Sequence, residues 1–184
     1  MYHVLAVSGY KPHEIGVFNE KHEQLPFLKK AIKRKLSDLI SEFGVEWITI
    51  SGQAGVELWA AEACLLLQEE GVDIKLAVLA PFMEQEEKFP EKVKELYEKV
   101  WLESDFQDYI TKRPYDSPAQ LKLKNEFIVN KTQAMMLLYD ESTEGTPKFY
   151  LEAAKKKQES TDYPIFYVTP DDIEDMIRAE QDWN

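Results

Sequence analysis

A single cysteine, Cys64, excludes an internal disulfide and fits a reducing compartment. The three histidines, His3, His13 and His22, stand at no metal-ligand spacing, and neither H-E-x-x-H nor C-x-x-C occurs, so no metal site is expected. No apolar run approaches the ~20 residues of a membrane helix. The N-terminus enters a strand without the basic and apolar regions of a signal peptide. The expectation is a cytoplasmic protein with no membrane association. Basic residues are too few for broad nucleic-acid binding: 22 Lys and Arg stand against 34 Asp and Glu, a net charge of −12. The basic clusters that do occur (Lys29, Lys30, Lys33, Arg34, Lys35; Lys155, Lys156, Lys157) fall on expected helices and read as solvated faces. Also missing are the three-glycine G-x-G-x-x-G fingerprint, the G-x-x-x-x-G-K-[ST] loop and the G-x-S-x-G nucleophile elbow.

What is present is enough apolar sequence, 44% of 184 residues, for one domain over residues 1–184 with a substantial core. Short β-rich runs alternate with amphipathic helical windows. Strands are expected at Val4–Val7, Trp47–Ser51, Ile74–Leu79, Ala134–Tyr139 and Ile165–Val168, with a weaker one over Phe106–Thr111. Helices follow from about Pro26 to Gly44, from Val56 to near Gly71, around Val93–Trp101, from Ser117-Pro118 through Leu121, Leu123, Phe127 and Ile128, from Pro147, and from Pro170. Thr169-Pro170-Asp171-Asp172 combines a capping Thr, Pro at the first helical position and acids at the positive end of the dipole. Cys64, Trp59 and Trp101 sit at core spacing. Alternation of this kind implies parallel strands joined by right-handed crossovers, a doubly wound α/β domain with helices on both faces.

Ligands of such sheets bind outside the carboxyl ends of the strands, where the strand order reverses. The segments expected there are Ser8-Gly9-Tyr10-Lys11, Ser51 to Glu57, Pro81-Phe82, Lys112 to Tyr115 and Asp140 to Thr146. Two strand–glycine–helix junctions stand out. Gly52-Gln53-Ala54-Gly55 opens one helix, with Glu57 in its first turn, and Gly145-Thr146-Pro147 opens another. Glycine permits close backbone approach, and a helix N-terminus offers unpaired N–H groups to an anion. A phosphate and the Glu57 carboxylate would repel at one helix end. Glu57 therefore suits ribose hydroxyls or an acid/base role, while phosphate suits Gly145-Thr146. Lys11 and Arg113 are candidate charge partners, and Tyr10 and Phe82 could flank a base.

Four stretches resemble the YpsA family of low-GC Gram-positive bacteria: Ser8-Gly9-Tyr10-Lys11-Pro12; Ser51-Gly52-Gln53-x-Gly55-Val56-Glu57-Leu58-Trp59; Arg113-Pro114-Tyr115-x-Ser117-Pro118; and Tyr139-Asp140 through Glu144-Gly145-x-Pro147-Lys148. The resemblance runs over essentially the whole chain. It implies a Rossmann-like, mostly parallel member of the SLOG superfamily, grouped with DprA and the LOG phosphoribohydrolases. It further implies a pocket for a nucleotide or ADP-ribose-like ligand with Gly52, Gly55 and Glu57 on one side, and Gly145-Thr146 is similar to the phosphate-binding turn of LOG proteins; together with the strand-end segments, the candidate ligand-binding residues are Ser8, Gly9, Tyr10, Lys11, Gly52, Gln53, Gly55, Glu57, Pro81, Phe82, Arg113, Gly145 and Thr146. The family is linked to cell division, which makes division proteins candidate partners, and pockets of SLOG proteins often lie near subunit contacts, which makes a second copy of the chain another. LOG enzymes carry P-G-G-x-G-T-x-x-E; here only Gly145-Thr146 matches, and Phe149 replaces the acid. A ligand-binding regulator is the leading expectation. The alternatives are a nucleotide N-glycosidase using Glu57, and an interaction protein with a vestigial pocket.

Overall fold

The computed structural model describes residues 1–17 and 21–183. Six parallel strands form one sheet: β1 (Val4–Ser8), β2 (Trp47–Ile50), β3 (Lys75–Ala80), β4 (Phe106–Tyr109), β5 (Ala134–Leu138) and β6 (Ile165–Val168). Their spatial order is β4-β3-β2-β1-β5-β6, so the winding reverses between β1 and β5. Leu5 pairs with Ile48 on one side and with Ala134 on the other. Helices α1 (Leu25–Phe43), α2 (Val56–Glu69), α3 (Glu91–Glu103), α4 (Ala119–Lys131), α5 (Pro147–Gln158) and α6 (Pro170–Asp182) complete the described domain. Short 3-10 turns lie at Pro12–Ile15 and Gln85–Lys88.

The two-residue period of the strands sorts the core into two layers. Leu5, Val7, Ile48, Ile50, Leu76, Val78, Met136 and Leu138 face α1, α2 and α3, with Ile173 of α6 against the same cluster. Ala6, Met135 and Leu137 face the other way, onto Ile128 and Val129 of α4 and Tyr150, Leu151 and Ala154 of α5. Central strands are apolar on both faces because both are covered. The edge strand β4 is Phe-Gln-Asp-Tyr, half-polar and partly exposed. The Thr169 cap of α6 forms as expected, with Thr169 and Asp172 bonding reciprocally across the first turn.

Element limits match the sequence reading to within a residue or two. The α4 helix differs in orientation. Its apolar residues Leu121, Leu123 and Phe127 remain 37–46% exposed, while Gln120, Lys124 and Asn125 are buried. Apolar side chains run all round this helix, so periodicity does not select a face. Gln120 is drawn inward by its partners: its Oε1 accepts from the Asp116 and Ser117 N–H groups, and its Nε2 donates to Thr111 Oγ1 and the Pro114 carbonyl.

Candidate functional site

The candidate site lies at the carboxyl ends of β1 and β5, where the strand order reverses. On the β2 side, Ser51 leaves the sheet into Gly52 and Gly55, which take φ of +86° and +98°. Both glycines are required by packing. A Cβ on Gly55 would lie 2.4 Å from the Tyr10 carbonyl oxygen, and one on Gly52 would lie 2.6 Å from the Tyr97 ring. The turn after β1 rests directly on this junction. The Val56 N–H donates to the Tyr10 carbonyl at 3.1 Å, and Gln53 Nε2 donates to the Gly9 carbonyl at 3.2 Å. The N-terminus of α2, expected to present N–H groups to a ligand, is thus partly capped by the chain itself.

Glu57 is fully buried beneath these turns. Its Oε1 accepts from the Ser51 N–H and Ser51 Oγ, both at 2.7 Å; its Oε2 accepts from Ser8 Oγ at 2.9 Å and lies 3.5 Å from Tyr150 Oη. The carboxylate therefore joins the ends of β1 and β2 to α5. Lys124 Nζ donates to Tyr150 Oη at 3.2 Å and sits 4.6 Å from the ring centre. Burial, followed by the Glu57 charge, holds the Tyr150 hydroxyl far above its ordinary range and so protonated. Burial pulls the Lys124 ammonium down to about 8, with Glu57 opposing and Lys11 adding to the fall.

The second glycine junction carries an anion already. Glu14, from the turn after β1, places Oε2 on the Thr146 N–H at 2.9 Å and on Thr146 Oγ1 at 3.2 Å. Its Oε1 accepts from the Lys11 N–H at 2.7 Å. A Cβ on Gly145 would come within 2.5 Å of that carboxylate, so the missing side chain is what lets Glu14 in. Tyr10, 1% exposed, reaches the same loop, with its hydroxyl 2.9 Å from the Asp140 carbonyl and 2.7 Å from that of Thr143. The Ser142 N–H and hydroxyl, bonding to Asp140, hold its carboxyl below the usual range.

Ser8, Gly9, Tyr10, Lys11, Gly52, Gln53, Gly55, Glu57, Gly145 and Thr146 thus belong to one connected network. Pro81, Phe82 and Arg113 form another, at the ends of β3 and β4, two and three strands from β1. There Thr111 Oγ1 donates to the Pro81 carbonyl, Phe82 meets Tyr115 edge-on, and Arg113 pairs with Asp116 at 3.6 Å, both exposed. Glu14, Tyr150 and Lys124 are the site residues that the sequence reading missed. Lys124 did leave a signal, since four-residue spacing from Gln120 to Ile128 puts it on the same helix face as a buried isoleucine. No cluster of His, Cys, Asp and Glu among the described residues could hold a metal ion. Three of the five basic residues of the α1 cluster are paired: Lys29 with Glu62 at 3.0 Å, Lys30 with Glu180 at 2.5 Å, and Lys33 with Glu70. No helix among the described residues is long and apolar enough to cross a membrane.

An all-parallel, doubly wound sheet with its glycine junctions gathered at the reversal of strand order defines a Rossmann-like protein. Within that class the YpsA family model, described as the YspA SLOG family, matches residues 5–173, and the chain belongs to this family. It is 49% identical over 179 residues to the UPF0398 protein YpsA of Bacillus subtilis (strain 168), covering 97% of this chain and 98% of that one. A UPF0398 protein of Bacillus licheniformis is 50% identical over 170 residues, covering 92% of each. One from Bacillus thuringiensis (strain Al Hakam) is 48% identical over 181 residues, covering 98% of this chain and 97% of the relative.

Proposed function

We propose that the protein is a non-catalytic binder of a phosphorylated, nucleotide-like ligand, seated at the β1–β5 crevice with phosphate at the N-terminus of α5. The observation that carries this reading is the Glu14 carboxylate. It occupies the Thr146 N–H and hydroxyl as a phosphate oxygen would, in a space left open by Gly145. The ligand displaces Glu14 and lifts the segment Lys11–Ile15, which opens the crevice. A catalytic role for Glu57 is disfavoured by its enclosure: both oxygens are taken by Ser8 and Ser51, and none of its surface meets solvent. The carboxylate instead ties the ends of β1 and β2 to α5.

Thermal unfolding with AMP, ADP-ribose and adenosine tests the reading. A ligand at about 100 times its Kd stabilises by about 2.7 kcal/mol, which raises the Tm of a chain this size by roughly 5–10 °C. Glu14→Ala removes the internal competitor and is expected to tighten the phosphorylated ligands relative to adenosine. A flat response to all three with well-folded protein refutes the reading.

A further inference from the structure

Helix α6 is strongly amphipathic, yet none of its residues is fully buried. Ile173 packs into the core cluster, and Glu180 pairs with Lys30 of α1 at 2.5 Å, which fixes that side of the helix on α1. Met176, Ala179 and Trp183 recur at three- and four-residue spacing and make an apolar stripe along the adjoining flank. A hollow of about 260 Å³ runs along this stripe, lined by Met176, Ala179, Glu180 and Trp183. All four belong to one helix and its cap, so the facing wall is missing. Trp183, 91% exposed, is the largest apolar side chain left in water among the described residues. Rings of this kind dominate the area that association buries.

A second hollow, of about 290 Å³, lies between α1 and the C-terminal half of α2, lined by Lys30, Lys33, Arg34, Leu67 and Glu70 among others. Lys30 borders this hollow and Glu180 the first, so their ion pair stands between the two. Lys33 is paired with Glu70, but Arg34 is exposed and meets no acid among the described residues. An indole ring suits such a place, because guanidinium and ammonium groups are attracted to its face. The charges around the hollows are self-complementary. Helix α1 carries five Lys and Arg against two acids, and its neighbour α6 carries six acids against one Arg. Both helices follow strands of one parallel sheet and so run in the same general direction. A two-fold axis between them lays α6 of each copy across α1 of the other, and acids then meet bases twice. A nucleic acid or an anionic membrane would meet the acids of α6 along with the bases of α1, so the charge favours a second copy.

We propose that the α1–α6 face is an interface with a second copy of this chain, in which Trp183 of each copy enters the hollow bordered by Lys30, Lys33 and Arg34 of the other. This face lies in the helix layer opposite α4 and α5 and does not depend on the ligand reading above. Sedimentation velocity over a range of protein concentrations tests it. Wild type is expected to pass from monomer to dimer with a Kd of about 1–100 μM, as suits a face only two helices wide. Raising the salt from about 0.05 M to about 0.5 M is expected to weaken the dimer at least about tenfold, because exposed charges are screened. Trp183→Ala and Arg34→Glu are each expected to weaken it by about tenfold or more. Both positions are exposed, so circular dichroism should show the fold of each variant unchanged. Tryptophan emission supplies a second readout: it should shift to shorter wavelength as wild type associates, and the shift should be absent from Trp183→Ala. Wild type that stays monomeric throughout overturns the inference. So does a dimer that either variant leaves intact, or one that salt does not weaken.

Discussion

Glu57→Gln changes one charge and almost no volume, so it isolates what the buried carboxylate contributes. The Ser51 N–H cannot reverse its direction, and the amide oxygen must therefore stay on Ser51. The amide NH2 then faces Ser8 Oγ, which has to turn its proton away. Charge-assisted hydrogen bonds, at about 1.5–3 kcal/mol each, become neutral ones nearer about 1 kcal/mol. Lys124 also loses its buried counter-charge, the kind of change that costs about 3–5 kcal/mol when a paired ion is stranded. We expect a net loss of about 3 kcal/mol, which is roughly 6–12 °C in Tm at this chain length. The assay is urea unfolding followed by circular dichroism, for Glu57→Gln, Lys124→Met and the double variant. Since each single change strands the opposite charge, the double variant should be more stable than the sum predicts by at least about 1 kcal/mol. A Glu57→Gln protein within about 0.5 kcal/mol of wild type, or strict additivity, refutes the coupled pair.

The folded pKa of Lys124, about 8, lies below the 10.5 of the unfolded chain, so the unfolded state holds the extra proton between those values. Wild-type stability measured against Lys124→Met should therefore rise by more than about 1 kcal/mol from pH 7.5 to 9.5, and a constant difference would contradict it. Cys64, buried and pushed up to about 12, should react with Ellman's reagent at neutral pH only as fast as the protein unfolds; immediate labelling of the native chain would show an accessible thiolate. Gly55→Ala combines a φ of +98° with a Cβ 2.4 Å from the Tyr10 carbonyl, and should cost about 3 kcal/mol or more in urea unfolding. A loss under about 1 kcal/mol would mean that the Tyr10–Pro12 turn yields freely.

The alternation of apolar strands and amphipathic helices was sufficient to read the fold, because parallel sheets covered on both faces leave long, unmistakable apolar runs such as Ala134–Leu138. The close backbone approach at Gly52 and Gly55 was legible for a related reason: glycines soon after an apolar run, at the entry to a helix, mark a tight exit from the sheet. The partners at those exits were not legible. Glu14 and Thr146 are far apart in the chain, and nothing local marks Glu14 as the group that fills the α5 N-terminus. The depth of Glu57 was hidden as well, because an acid in the first turn of a helix is favoured by the dipole whether it faces solvent or core. Arg113 and Phe82 were grouped with the crevice by their position after strands, and only the strand order places them two and three strands away from β1.

Strand β1 occupies the middle of the sheet although it is made first. On the ribosome, β2 follows it soon, but β5 is not synthesised until the last third of the chain. For most of translation, the nascent protein therefore carries an apolar strand with one flank open, the exposure that invites pairing with foreign chains. A message truncated before residue 134 would leave that flank open permanently.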